Sequence, residues 1–274
     1  TRNRPVAAIV SITVAMAAIS INDVLIKSLS GDYPLHELVF VRSLIALTIS
    51  LIIVQFEGGW GILRTDQPFL HTCRGLLVVI SNMSYFAALA VMPLATSTAL
   101  FFVAPLFITL LSIPILGEQV GVRRLAAVAI GFAGVILMQR PWANEALNFA
   151  DRVVLLLPVF AAFTYALMQL LTRRLGVKAK ASALAVYIQA TFLIVSTGFF
   201  FAAGDGRYAE ATENQSLIFL LRAWQWPTGD DWLLFVILGS ISGVVGYTLS
   251  QAYRLAPAAT VAPFEYIAMP LAIA

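Results

Sequence analysis

The chain has 274 residues, 60% of them hydrophobic and only 11% charged, with a mean hydropathy of +0.90. A soluble domain carries about a quarter charged residues, so these proportions exclude a water-facing globular surface and leave lipid as the solvent. The net charge of +3 comes from basic residues dispersed in short loops, which rejects a nucleic-acid face, while one cysteine (Cys73) and two distant histidines (His36, His71) exclude a disulfide framework and leave metal chemistry little to work with.

Apolar runs of about 20 residues follow one another and predict helices over roughly 6–29, 36–55, 69–92, 94–116, 121–139, 153–173, 181–203, 232–253 and 257–274. The first imitates a signal peptide, with Arg2 and Arg4 before an apolar run and Ala15-Met16-Ala17 after it. The apolar stretch continues to about Leu29, so it is read as a retained helix. Breaker residues mark the joints: Gly31-Asp32-Tyr33-Pro34, Gly58-Gly59, Met92-Pro93, Gly117-Glu118 and Arg140-Pro141. With the N-terminus cytoplasmic, the inner segments hold Arg2, Arg4, Arg64, Arg74, Arg123, Arg124, Arg173, Arg174, Lys178, Lys180 and Arg254. The outer ones hold only Lys27, Arg140, Arg152, Arg207 and Arg222, a bias that supports this orientation. The longest loop, roughly 204–231, is outer and acidic, and its stretch from Ser216 to Trp226 suits a helix lying at the membrane interface.

An internal repeat is legible. Pro93 and Pro257 each open a segment with small residues and a threonine (Thr96, Thr260), and each reaches a second Pro-Leu pair, Pro105-Leu106 and Pro270-Leu271. Ala17-Ala18-Ile19-Ser20 matches Ala161-Ala162-Phe163-Thr164 more weakly, and chance likeness of apolar helices is the bland alternative. The expected architecture is therefore all-α: a polytopic membrane protein of two inverted five-helix repeats, residues 1–140 and 141–274. The second repeat stops within its fourth helix, so about nine of ten helices are expected here, the natural chain continuing beyond Ala274.

Three stretches carry a family resemblance: YPLHELVFVRSLIAL (33–47), ALAVMPLATSTALFFVAPLF (88–107) and ILGEQVGVRRLAAVAIGFAGVILM (115–138). They resemble the EamA-type, ten-helix members of the drug/metabolite transporter superfamily over nearly the whole chain. Within that group the chain looks most like bacterial amino acid exporters, of the YddG aromatic type. Riboflavin and S-adenosylmethionine carriers look similar in the same stretches. The resemblance implies an integral protein of a bacterial inner membrane whose partners are a small-molecule substrate and the lipid bilayer. The oligomeric state stays open, a monomer included.

Polar groups inside the predicted spans are costly in lipid and mark the candidate sites. Asp23 and Lys27 lie four apart on the first helix, as a locking ion pair or a gate. Arg42, nearly two turns into the second helix, is read as binding a substrate carboxylate or pairing with Asp23 or Glu37. Asn82 and Tyr85 share a face of the third helix, lining a cavity or joining two helices. Phe101 and the kink-capable Pro105 follow in the fourth, where a bend suits a gate. Tyr165 with Gln169, Tyr247, Glu265 and Tyr266 are the candidates of the second half. Glu265 is the first candidate for proton coupling or a substrate ammonium, and nothing in the sequence supplies its partner. Gly239, Gly243 and Gly246 give small-residue spacing for close helix packing.

Three function classes compete. A secondary carrier with alternating access fits the repeat and the intramembrane charges, and no GxxxxGK[ST] motif or other cofactor signature is present. An intramembrane enzyme would need facing acids, for which only Asp23 and Glu265 offer themselves, without a motif. A receptor or scaffold predicts long cytoplasmic segments, and the inner loops are short. The expectation is a carrier of small metabolites, above all export of aromatic or neutral amino acids, with no catalytic or metal-binding residues.

Overall fold

Backbone in lipid has no water to bond, so an apolar stretch must close its own hydrogen bonds, and a helix does this within one segment. A computed structural model describes residues 4–123, 125–126, 129–130, 133, 149–209, 212–229 and 231–268. Its long helices are α1 (Pro5–Leu29), α2 (Leu35–Glu57), α3 (Pro68–Val91), α4 (Leu94–Phe101), α5 (Ala104–Leu116), α6 (Phe149–Leu175) and α7 (Ala181–Ala203). After a short α8 (Gln215–Leu221) come α9 (Asp231–Leu255), α10 (Ala258–Val261) and a tighter 3₁₀ turn over Ala262–Ile267. Seven stretches among the described residues are long and apolar enough to cross a membrane, the α4–α5 pair counting as one. The protein is thus all-helical and polytopic. The predicted helix over 121–139, and the end of the last one with Pro270, lie largely outside the described residues.

The predicted fourth helix is interrupted, and the chemistry of Pro105 explains where. Its nitrogen cannot donate to the carbonyl of Phe101, and α4 ends at Phe101. The chain turns through Phe102 and Val103, and Pro105 then sits in the first turn of α5, where its missing N–H costs nothing. Pro105 therefore opens α5 just after a tight turn, and because Phe102 (φ −65°, ψ 1°) and Val103 (φ −67°, ψ −16°) stay close to helical, the joint is a kink within one span. Pro263 acts similarly: α10 stops at Val261 and the chain tightens into the 3₁₀ turn. At the other end of α5, Gly117 adopts a left-handed conformation (φ 68°) and the amides of Gly117 and Glu118 close back on Ile113 and Ser112.

The long helices pack in pairs that invite a correspondence. Helix α1 lies chiefly along α9, α6 chiefly along α3, and α2 along α7. If α1 to α3 correspond to α6, α7 and α9, the first two contacts are one contact seen twice, and the third lies across the axis relating the halves. A matching detail supports the correspondence. Lys27, near the end of α1, donates to the carbonyls of Leu89 and Met92 at the end of α3. Arg173, near the end of α6, donates to the carbonyl of Arg254 at the end of α9 (3.0 Å). Each basic side chain thus satisfies carbonyls that a terminating helix leaves without partners, just before Pro93 and Pro257. The expected Asp23–Lys27 ion pair does not form, because the lysine reaches across to α3 instead.

Small residues bring α9 against α2. A Cβ on Gly239 would meet Ile45 at 2.6 Å, and one on Gly243 would meet Ile49 at 3.3 Å. The spacing read as a packing stripe is one.

Segment 216–226 is not a single interfacial helix. Helix α8 ends at Leu221, and the segment is tied down onto one end of the bundle. Ser216 donates to the carbonyl of Ala87 (2.6 Å), the ring of His36 lies 3.2 Å from the carbonyl of Leu220, and the amide of Gln225 donates to Glu37 (2.9 Å). Trp224 packs among His36, Phe40 and Phe200, while Trp226 stays exposed.

Candidate functional site

Enclosed by the long helices lies a cavity of about 170 Å³. Its wall draws on every long helix: Asp23 from α1, Arg42 from α2, Arg74, Asn82 and Tyr85 from α3, Phe101 and Pro105 from α4 and α5, Tyr165 from α6, Gln189 and Phe192 from α7, and Ser242 and Ser250 from α9. Glu265, in the final turn, closes it. Most of the remaining wall is apolar or aromatic, so the few polar groups stand out as fixed points on a greasy surface.

The first group of polar residues is a continuous network. Arg42 donates to Asn82 (2.8 Å) and, through a longer contact, to Asn22 (3.4 Å). The amide of Asn22 donates to Asp23 (3.2 Å) and its oxygen accepts from Ser242 of α9 (3.1 Å). Tyr85 donates to Asp23 (3.2 Å), and its hydroxyl lies 3.0 Å from that of Thr98. The guanidinium of Arg42 also sits over the rings of Phe192 (5.2 Å) and Phe86 (5.8 Å). Arg42 forms no ion pair with Asp23 or Glu37. Asn22 stands between it and Asp23, and Glu37 is occupied at the bundle end by Gln225.

The second group centres on Glu265, which is 3% exposed. Its carboxylate accepts from Tyr253 (2.5 Å) and Tyr165 (3.1 Å), so the partners that the sequence could not name are two phenols, one from each flanking helix. The ring of Phe101 bridges the groups, edge-on to both Tyr85 (5.2 Å) and Tyr165 (5.3 Å).

The third is Arg74, which sequence reasoning missed. Counted above as a positive residue of an inner segment, it lies within α3 and is 1% exposed. It donates to Thr172 (2.7 Å), the carbonyl of Leu184 (2.9 Å) and Ser250 (3.2 Å), tying α3 to α6, α7 and α9. The signal was present: Arg74 falls five residues into the predicted span 69–92, a depth at which Arg42 was set apart as intramembrane.

The remaining candidates lie elsewhere. Gln169 is fully buried on α6, off the cavity wall. Tyr247 donates to Glu57 (2.9 Å) at the end of α2, where Glu57 also accepts from Ser182 (2.6 Å). Tyr266 packs on Phe102 (ring centroids 5.7 Å) and is partly exposed. Lys27 is engaged with α3, as described. No group of three or more potential metal ligands occurs among the described residues.

A model of the EamA-like transporter family matches residues 6–140. The riboflavin transporter of Vibrio cholerae is 31% identical over 246 residues, covering 89% of this chain and 74% of that protein. The S-adenosylmethionine uptake transporter of Rickettsia prowazekii is 26% identical over 248 residues, covering 90% and 76%. The pseudopaline exporter of Pseudomonas aeruginosa is 29% identical over 143 residues, about half of each chain (52% and 50%). One solved crystal structure superposes over 98% of this chain and 86% of its own with a TM-score of 0.71 at 21% identity, a likeness of fold.

Proposed function

The chain belongs to the EamA-like transporter family, and from that premise we propose that it is a secondary carrier whose two units, residues 1–140 and 141–274, rock about the central cavity to expose it to either side in turn. The family and the relatives support transport as the activity. The observation that carries the reading is the cavity itself. It draws its wall from both proposed units and carries charged groups that lipid would penalise unless a solute used them. The surrounding membrane is proposed to be the bacterial inner membrane, with the N-terminus cytoplasmic, on the strength of the basic-residue bias.

The substrate reading shifts. The relatives give no support to export of aromatic amino acids, the first expectation from the sequence. One is named a riboflavin transporter and one an S-adenosylmethionine uptake transporter, the carriers named as its alternative. We infer a ring-bearing metabolite of that size, taken up into the cell. The rings of Tyr85, Phe86, Phe101, Tyr165 and Phe192, all lining the cavity, suit a flat heterocycle.

Uptake into liposomes holding the purified full chain tests this, with labelled S-adenosylmethionine, riboflavin and phenylalanine supplied in parallel. Saturable, protein-dependent entry of either of the first two is expected. Entry of phenylalanine alone would return the assignment to amino acids, and entry of none would overturn the carrier reading.

A further inference from the structure

Four acidic or basic side chains reach the cavity wall: Asp23, Arg42, Arg74 and Glu265. The first two answer one another. Asn22 is bonded to both and links them in one network. The other two face only neutral partners. Arg74 spends three of its five N–H groups on a hydroxyl, a carbonyl and a second hydroxyl, and two remain. Glu265 accepts from two phenols and has no cation within ion-pair distance, since the one ion pair among the described residues is Arg207–Asp205 on the surface. A buried guanidinium and a buried carboxylate, each without a counter-charge, are unfavourable. The same two helices hold both at separate points. Arg74 bonds to Thr172 of α6 and Ser250 of α9, and Glu265 to Tyr165 of α6 and Tyr253 of α9.

An anion alone would leave Glu265 uncompensated, and a cation alone would leave Arg74 so. A molecule bearing both answers both. We propose that the solute is a zwitterion whose carboxylate docks on Arg74 and whose cationic nitrogen or sulfonium docks on Glu265. This rests on the carrier reading and narrows its substrate class. It sets aside an uncharged ring such as a flavin as the preferred solute, because burying such a ring would strip water from both charges and supply neither with a partner.

Ligand-induced thermal stabilisation of the full chain in detergent reads binding without requiring transport. The probes are S-adenosylmethionine with its decarboxylated analogue, phenylalanine with phenethylamine and 3-phenylpropionate, and riboflavin. Phenylalanine is a zwitterion, and S-adenosylmethionine carries the same carboxylate and ammonium with a sulfonium besides; at least one of the two is expected to bind, and its named analogues lacking one charge should bind at least tenfold more weakly. Glu265→Gln is expected to weaken that zwitterion about tenfold while leaving the carboxylate-only analogue unchanged, a pattern that general loss of folding would not produce. Equal binding of charged and decarboxylated partners would overturn the proposal. Binding and transport of riboflavin with neither zwitterion bound would overturn it while leaving the carrier reading intact. Failure of every solute both to bind and to move would overturn the two together.

Discussion

Arg42 illustrates how an intramembrane charge is tolerated without an ion pair. Its guanidinium is shared among Asn82, Asn22 and two aromatic faces, so the charge is spread over several weak partners and stays oriented toward the cavity. Hydrogen bonds to charged groups are worth about 1.5–3 kcal/mol, so Asn82→Ala is expected to lower stability by about that amount and to reduce uptake, both measurable on the purified protein. A variant with unchanged melting temperature and unchanged uptake would mean that the network has no role in either. Asp23, Arg42, Asn82, Tyr85, Phe101, Pro105, Tyr165 and Glu265 could all be named from sequence, because polar, aromatic or breaker residues inside an apolar span are conspicuous. Their partners could not. Which residue Glu265 meets depends on how α6 and α9 are rotated, and no spacing along one helix encodes that. Arg74 escaped for another reason: a basic residue near a span boundary looks like a loop anchor until its burial is known.

The helices themselves were legible wherever hydrophobicity alone decides the outcome, and less so where one residue changes the backbone. A single helix over 94–116 with Pro105 as a bend is the sequence expectation, and the span is interrupted only by a tight turn at Phe102–Val103. Pro105→Ala restores a donor opposite Phe101 and is expected to favour one continuous helix there. If the turn serves as a hinge, transport slows several-fold while binding persists. An unchanged transport rate would show that the turn is only a packing feature. Contact between α2 and α9 offers a cleaner test of packing. A side chain at Gly239 would drive into Ile45, so Gly239→Leu should cost about 1–3 kcal/mol and lower the melting temperature. Gly61→Ala, where nothing lies within 4 Å, should leave it unaltered. Equal effects at the two positions would contradict the close approach.

At the scale of the molecule, the proposed two units would be joined by contacts that recur in reciprocal positions. Lys27 and Arg173 each hold the end of the helix that precedes a proline-led segment. Glu118, in the Gly-Glu pair that carried the family resemblance, accepts from the amides of Ala258 (2.9 Å) and Ala259 (3.0 Å) and so caps α10 from the other half. Sequence placed Glu118 in a joint, but only the folded chain reveals that this joint meets the opposite unit. Removing the charge with Glu118→Gln should weaken that cap by about 1 kcal/mol. A rise in transport rate alongside the lowered melting temperature is expected if the cap holds one access state, and a change in stability alone would confine it to a structural role.

The central claim is that one cavity between the halves serves both sides of the membrane in alternation, and counterflow tests it most directly. Liposomes holding the full chain are loaded with excess unlabelled S-adenosylmethionine and diluted into labelled tracer. The account predicts that tracer accumulates transiently above its equilibrium level, and that the overshoot is strongly reduced in Glu265→Gln. Tracer that only equilibrates, at a rate indifferent to the internal load and to the substitution, would contradict an alternating carrier built on this site.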